Sequence, residues 1–537
     1  MINRRKEPSD PPTLSLCMIV KNEEEFLPRC LESVKDVVDE MVIVDTGSTD
    51  RTVEIAQSYG AKVSHHPWQN SFSEARNYGL QFARGDWVLQ LDADEELEPA
   101  DNPLLREVLR SPLYNAVFVA IYNRFSEGTS KHYFQRIFRR GKGHYEGVVH
   151  NQLMYEGEAL ASEIRIYHYG YDLAPEKMER KYRRTSALLQ KQIEEDPENT
   201  FAWENLVRVY RCWRKFDRAV EEGEKALTLD TSRMTSAQRQ MILYDTAYSL
   251  SALQRYEEAE RTCRKVLEEN PRNLDVHFVL GGIYIATGRT QVALGAYQRF
   301  LEIQHQERVC PQYTPLQVDT YTYEDKAWNN IGGCYRDMGL FEEAIKAYHR
   351  AIGINGTNAL FYRNLAYAYT QQNRLKEARN ALKEALRLNP NHIEPLLNIA
   401  QIACKMGRKK ETLGHIDHIM AMHPEANRTL KTGGGIGEPP SPSIEHRTSS
   451  IKQQGGLWLA LGAMCIALEE YGRAIELLER VLECAPTDHR VLTDLATCYA
   501  QLGQYEAALI GYRAALKLNP GYEQAIRNLT VLQRRFP

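Results

Sequence analysis

The stretch Met41-Val42-Ile43-Val44-Asp45-Thr46-Gly47-Ser48-Thr49-Asp50 decides the fold. Four apolar, strand-prone residues run straight into a polar turn, and the turn's Thr, Ser and Asp are the residue types that cap a following helix. A strand that is apolar at every position has to be buried on both faces, which points to a parallel sheet covered by helices. Outward from here the same grammar repeats. The pattern predicts strands over 14–20, 41–44, 61–65 and 87–91, with helices over 23–34, 50–59 and 73–83 between them. Such alternation predicts an α/β domain built from βαβ units.

Ligands of open α/β sheets bind beyond the carboxyl ends of the strands, so the residues after each strand are the candidates. They are Lys21-Asn22-Glu23, Asp45 to Asp50, His65-His66 and Asp92-Ala93-Asp94. No GxGxxG follows the first strand and no GxxxxGK[ST] occurs, which argues against a dinucleotide fold and a phosphate loop. The turn at Thr46-Gly47-Ser48-Thr49-Asp50 offers exposed amides to an anionic or polar group, and taken alone it reads equally well as a capped βα turn. Asp92 and Asp94 have the spacing of a divalent-cation site that bridges a diphosphate. That pattern is common by chance, and its place at a strand end is what singles it out. His65 and His66 read as loop residues before they read as ligands. Lys131, Arg136, Arg139, Arg140 and Lys142 surround an alternating strand at 133–138 and suit a diphosphate-facing patch or a solvated hairpin equally.

The rest of the chain repeats. Ala259 to Ala293, Ala344 to Ala378, Ala351 to Ala385, Ala474 to Ala508 and Pro486 to Pro520 are each separated by 34 residues. That is the tetratricopeptide period, and Leu365-Ala366, Tyr369, Ala378, Ala385 and Pro390 occupy its small and aromatic anchor positions. About eight units run from residue 200 onward, one of them degenerate near 396–420. Their anchors are packing residues that let neighbouring helices approach. Two insertions break the period, at 304–320 and in a Gly, Pro and Ser-rich stretch at 432–456. The predicted division is a flexible N-terminus at 1–12, an α/β domain at 13–180, repeats at 181–431, a linker or loop at 432–456 and a second repeat block at 457–537. The fold class is therefore an α/β N-terminal domain followed by an all-α repeat solenoid.

A length of 537 residues rules out a single core. Lys and Arg total 67 against 71 Asp and Glu, a formal charge of −4, so no global field draws the chain to nucleic acid or anionic lipid. Ten cysteines without a CxxC pair suit reduced thiols of a cytoplasm. The longest uncharged apolar run, 457–468, is too short for the ~20 residues of a membrane helix. No transmembrane segment and a cytoplasmic location are expected.

Four motifs in order carry a family resemblance: Ser15-Leu16-Cys17-Met18-Ile19-Val20-Lys21-Asn22-Glu23, Ile43 to Asp50, Glu74-Ala75-Arg76-Asn77, and Asp92-Ala93-Asp94. The region from 14 to about 171 resembles the nucleotide-sugar glycosyltransferases of family 2, whose GT-A fold is Rossmann-like. A transferase domain followed by tetratricopeptide helices is also similar to the sublancin-type peptide S-glycosyltransferases. The resemblance implies that Asp45 and Glu23 hold the uracil and ribose of a UDP-sugar, with Arg76 and Asn77 completing the nucleotide pocket. It implies that Asp92 faces the ribose and a metal, that Asp94 is the direct metal ligand, and that His168 is a third ligand. One imidazole beside carboxylates favours Mn²⁺ and leaves Mg²⁺ open.

The catalytic base departs from the family pattern. Members often carry Gly-x-x-His-Glu after the metal motif, and this chain has Gly147-Val148-Val149-His150-Asn151. Asn cannot accept a proton, so Glu146 is the substitute candidate, its other reading being a solvated or structural carboxylate. The implied reaction is inverting, metal-dependent transfer of a sugar to a peptide, protein or glycan acceptor. The repeats would bind that acceptor, a partner protein or a second copy. A non-catalytic repeat scaffold with a degenerate transferase domain is the alternative, and a nucleotidyltransferase would instead release pyrophosphate.

Overall fold

The structure, a computed structural model, describes residues 11–125, 128–147, 152–170, 175–229, 231–309, 313–422 and 444–535. It divides into two compact units, Met1–Cys334 and Tyr335–Pro537. The first unit opens with β1 (Leu14–Val20), β2 (Glu40–Asp45), β3 (Lys62–His65), β4 (Trp87–Gln90) and β5 (Glu95–Leu97). Next come β6 (Ala116–Phe125), β7 (Gly128–Arg139), β8 (Gly143–Glu146), β9 (Gln152–Tyr155) and β10 (Ala159–His168). The accompanying helices are α1 (Leu27–Val34), α2 (Thr52–Ser58), α3 (Phe72–Leu80) and α4 (Asn102–Arg110).

Eight strands form one sheet in the order β3-β2-β1-β4-β7-β6-β10-β5, and β8 pairs with β9 in a separate hairpin. The four strands read from the sequence are mutually parallel. Beyond β4 the sheet is mixed: β7 is antiparallel to β4 and β6, β10 runs parallel to β6, and β5 closes the edge antiparallel. The two-residue connection between β6 and β7 permits no other pairing. Leu14 and Leu16 of β1, Ile43 of β2 and Trp87 and Leu89 of β4 are fully buried against Leu27, Leu31 and Val34 of α1. The Trp87 indole N–H donates to the Leu109 carbonyl at 3.0 Å, so this large side chain is buried without an orphaned donor. Helix α1 starts four residues later than the pattern predicts. Asn22 takes a left-handed φ of 56°, and Pro28, suited to a first turn, sets the start.

After the sheet come α5 (Pro175–Glu195), α6 (Thr200–Cys212), α7 (Phe216–Ala226), α8 (Ser236–Ala252), α9 (Tyr256–Glu269), α10 (Leu274–Ala286), α11 (Thr290–Val309) and α12 (Glu324–Asp337). Helix α6 packs on α7, α8 on α9 and α10 on α11. A side chain at Gly281 of α10 would run into the Tyr297 ring of α11, so the glycine is there for close approach. In the second unit Ala344, Ala351, Ala366, Ala378 and Ala385, on the 34-residue period, are buried packing positions. Of the Gly, Pro and Ser-rich stretch, 432–443 lies outside the described residues, and from Ile444 the backbone is helical over Ile444–Ala467. Its prolines end at Pro442, and Gly455 and Gly456 weaken a helix without stopping it. No helix among the described residues is long and apolar enough to cross a membrane.

The insertion at 304–320 explains why the first unit ends near 334 instead of 180. Its first residues extend α11 to Val309. The segment from 313 then crosses to the sheet, where β4 pairs with β7 only at Ile137, Phe138 and Arg139 and leaves the earlier part of that edge open. Lys131 and Val318 exchange both backbone hydrogen bonds there, at 2.9 and 2.7 Å. The Thr129 amide donates to the Thr322 hydroxyl at 2.8 Å, and the Tyr313 ring packs edge-on against Phe118 and Tyr133. On its other side the same segment donates the Asp319 and Thr320 amides to Asp275 of α10, at 2.9 and 2.8 Å. The break in the period is thus where the repeats are fastened to the sheet.

Candidate active site

The loops after β1 and β2 are tied together. The Thr49 amide donates to the Asn22 side-chain oxygen at 2.7 Å, and the Asn22 amide donates to the Ser48 hydroxyl at 3.0 Å. Asp45, buried at the end of β2, accepts the Ser48 amide at 3.0 Å and the Gly47 amide at 3.3 Å, and faces His65 Nδ1 at 3.1 Å. Burial pushes its carboxyl up, but the hydrogen bonds from Ser48, His65 and Gly47 prevail and hold it below the usual range. Glu23 follows β1, its amide donating to Thr52 Oγ1 at 2.7 Å. Burial, then repulsion from Asp94, Asp92 and Asp50, pushes the Glu23 carboxyl up to about 7, partly offset by Lys181. The corner is a field of negative charge that a cation would relieve.

Asp92 ends β4 between two guanidiniums. Its Oδ1 accepts from Arg76 of α3 at 2.7 Å and from Gln90 at 3.1 Å, and its Oδ2 accepts from Arg136 of β7 at 3.2 Å. Burial alone would raise it, yet Arg76 and then Arg136 hold it far below the ordinary carboxylate value. Arg136 also pairs with buried Glu95 and Gln90. Asp94 turns the other way, its Oδ2 3.2 Å from His168 Nε2 at the end of β10. Against burial, the His168 contact keeps the Asp94 carboxyl below its usual range. The other ring nitrogen, Nδ1, lies 2.8 Å from Asn123 Oδ1 on β6. A side chain at Gly170 would clash with Asp94 Oδ2 and come within 2.8 Å of His168 Nε2, so this glycine keeps the space beside the pair open.

The donor chemistry fits a divalent ion at two residues rather than three. Asp94 and His168 offer one carboxylate oxygen and one imidazole nitrogen, adjacent and aimed at the same space. Asp92, expected to face the ribose and the metal, has both oxygens committed to Arg76, Gln90 and Arg136. Among the described residues no group of three or more His, Cys, Asp and Glu is arranged to hold a metal.

Other expectations shift as well. Arg76 reaches Asp92 and lies over the Tyr145 ring, while Asn77 spends its whole amide on the Tyr145 backbone, donating and accepting at 2.8 Å. Asn77 therefore pins β8 against α3. The basic run is not a phosphate-facing patch. Arg136 is buried under Asp92, Lys131 pairs with Glu163, Lys142 pairs with Glu156, and Arg139 and Arg140 donate to backbone carbonyls. Glu146 is exposed at the end of β8, 3.0 Å from His144 Nε2. The neighbouring Val148, Val149, His150 and Asn151 lie outside the described residues, as does Tyr171.

Sequence reasoning missed Lys181, Asn123 and Glu95. Lys181 comes from α5, beyond the expected domain boundary, and donates to the Gly170 carbonyl at 3.0 Å. Burial lowers its pKa while Asp94, Asp92 and Glu23 oppose that shift, so a repeat-side helix contributes charge to the acidic corner. The cluster of basic residues at 177–184 was the available signal, and nothing in it distinguishes Lys181 from its neighbours.

Residues 15–163 match the glycosyl transferase family 2 model, and residues 244–307, 323–391 and 466–530 match tetratricopeptide repeat models. The SPbeta prophage-derived glycosyltransferase SunS of Bacillus subtilis is 30% identical over 202 residues, 36% of this chain and 48% of SunS. A TPR repeat-containing protein of Synechococcus elongatus is 61% identical over 84 residues, 16% of this chain and 21% of that protein. The chain thus spans less than half the length of these curated relatives. The crystal structure of MamA superposes on 36% of the chain and 98% of its own, with a TM-score of 0.30 and 18% identity. The acidic corner at the ends of β1, β2 and β4 accordingly lies in a glycosyl transferase family 2 domain, which this chain joins to tetratricopeptide repeats.

Proposed function

We propose that the chain is an inverting, metal-dependent glycosyltransferase that moves a sugar from a UDP-linked donor to a peptide, protein or glycan acceptor. The observation that carries this reading is the Asp94–His168 pair, set beside Glu23 and Asp92 beyond the strand ends of a family 2 domain. SunS, which shares 30% identity over its matched part, is named a glycosyltransferase. A Mn²⁺ or Mg²⁺ ion held at Asp94 and His168 would neutralise charge on the departing diphosphate. Asp45 and Glu23 read the uracil and ribose, Asp92 is kept ionised beside the ribose by Arg76 and Arg136, and Asn77 holds β8 in place.

The acceptor attacks the anomeric carbon, the carbon–oxygen bond to the diphosphate breaks with its electron pair on the leaving group, and the anomeric configuration inverts. Glu146 takes the acceptor's proton, and its exposure lets it meet an acceptor arriving from solvent. The repeats bind that acceptor or a partner protein. A cytoplasmic setting suits the described cysteines, which are free thiols.

The test is mass spectrometry of the full chain incubated with a panel of UDP-sugars, Mn²⁺ and candidate peptides and glycans. A hexose-sized shift on one acceptor, lost on chelation and in Glu146→Gln, is the expected result. Nucleotide binding with no turnover would point to a scaffold, pyrophosphate release to a nucleotidyltransferase, and either overturns the proposal. A Glu146→Gln chain with unchanged turnover moves the base elsewhere.

A further inference from the structure

The strand register places three polar side chains in a row across the sheet. Asn123 of β6 is opposite Ser130 of β7 on one side and His168 of β10 on the other. Asn123 and Ser130 are almost wholly buried. The Asn123 Nδ2 group donates to Ser130 Oγ at 3.0 Å and lies 3.2 Å from His132 Nδ1. His132 is half-buried, and desolvation, followed by the charges of Arg136 and Arg208, lowers its pKa to about 3, so its ring is neutral and can accept at Nδ1. With both Nδ2 hydrogens directed to Ser130 and His132, Asn123 presents its oxygen to His168 Nδ1 at 2.8 Å. Ser130 is in turn reached by Gln317 of the repeat insertion at 3.5 Å, and Gln317 is held by Asp319 at 2.7 Å.

An amide oxygen accepts a proton and cannot supply one, so the nitrogen facing it must carry the N–H. We infer that Asn123 is a positioning residue: locked by Ser130 and His132, it orients the His168 ring with N–H at Nδ1 and turns Nε2 to the Asp94 carboxylate and the space beside it. The inference rests on the reading of Asp94 and His168 as an ion-holding pair. Outer partners of this kind set the ring orientation and donor strength of histidine ligands. The insertion supports the row from the repeat side, so the order of the site depends on a segment outside the transferase domain.

Two measurements on the full chain test this. In long-range ¹H–¹⁵N spectra of histidine-labelled protein, with His168→Gln identifying the signal, wild type is expected to show His168 protonated at Nδ1. Asn123→Ala is expected to lose the Nδ1 proton and keep N–H at Nε2, facing Asp94, and Asn123→Asp, which keeps an accepting oxygen, to restore the wild-type pattern. In Mn²⁺ titrations followed by electron paramagnetic resonance, folded Asn123→Ala is expected to bind about 10- to 100-fold more weakly, with Asn123→Asp recovering most of the loss. A wild-type ring with no proton on Nδ1, or an Asn123→Ala chain with the wild-type protonation pattern, overturns the inference. Should Asn123→Ala not fold, Asn123→Asp and Ser130→Ala are read in its place, and an Asn123→Asp ring with no proton on Nδ1 overturns it equally. Wild type that binds no Mn²⁺ defeats the ion-holding reading, while the tautomer still decides the role of Asn123.

Discussion

Asp94→Asn is expected to lower sugar transfer by about 100- to 1000-fold, the loss typical when one well-placed electrostatic group is removed from a charge-developing transition state. The variant keeps the size of the side chain and the backbone carbonyl that accepts the Tyr169 amide at 2.9 Å, so the turn after β4 should survive. What it removes is the negative charge facing His168 Nε2. Asp92 cannot take over that role. Its carboxylate is already neutralised by Arg76 and Arg136, and turning it toward His168 would strand the buried Arg76 guanidinium. Gly170→Ala attacks the same place sterically, because the added methyl would occupy space now held by Asp94 Oδ2. Both variants should retain the wild-type melting temperature within a few degrees and lose turnover in a coupled assay of UDP release. Wild-type turnover in Asp94→Asn at saturating Mn²⁺ would remove Asp94 from the reaction.

What was legible in the sequence follows from how local each signal is. β1 matches its predicted span of 14–20 because an uninterrupted apolar run has one reading. Asp45, Asp92 and Asp94 stand out as candidates because they come at the ends of such runs, and strand ends are where the fold collects ligands. Asn123 and Ser130 face each other across the β6–β7 hairpin, but His168, 45 residues beyond Asn123, joins their row only through the register of β10 on β6. No local pattern encodes that. Arg136 was visible as charge but not as the buried partner of Asp92 and Glu95, because its carboxylates arrive from a different strand end. The insertion at 304–320 was visible as a broken period, whereas its destination was not, since backbone pairing with Lys131 requires no particular residue at Val318. The late start of α1 at Leu27 came from a left-handed Asn22 that composition does not reveal.

Arg211→Ala is expected to destabilise the first unit by about 3–5 kcal/mol, the range measured when one partner of a buried ion pair is removed. Arg211, on α6, stands between two carboxylates: it forms a close ion pair with Asp245 of α8, without hydrogen-bond geometry, and donates to Asp319 of the insertion at 2.6 Å. Asp245 has no exposed surface. Burial already pushes its carboxyl up, and Arg211 and then Arg208 are what oppose that. Asp319 also accepts from the Tyr244 hydroxyl at 3.2 Å and from Gln317, while its backbone amide donates to Asp275. Losing Arg211 therefore leaves buried Asp245 with Arg208 alone, 3.6 Å away, and loosens the anchor of the segment that pairs with β7. Urea unfolding of the full chain, followed through Trp213, whose ring stacks on Tyr210 next to Arg211, reads the effect. The double variant Arg211→Met/Asp245→Leu is expected to recover most of the loss, because it removes the stranded charge and leaves Asp319 with Tyr244 and Gln317. A loss below about 1 kcal/mol in Arg211→Ala, the scale of an exposed ion pair, would show that the insertion is held by its backbone pairing and not by this buried cluster.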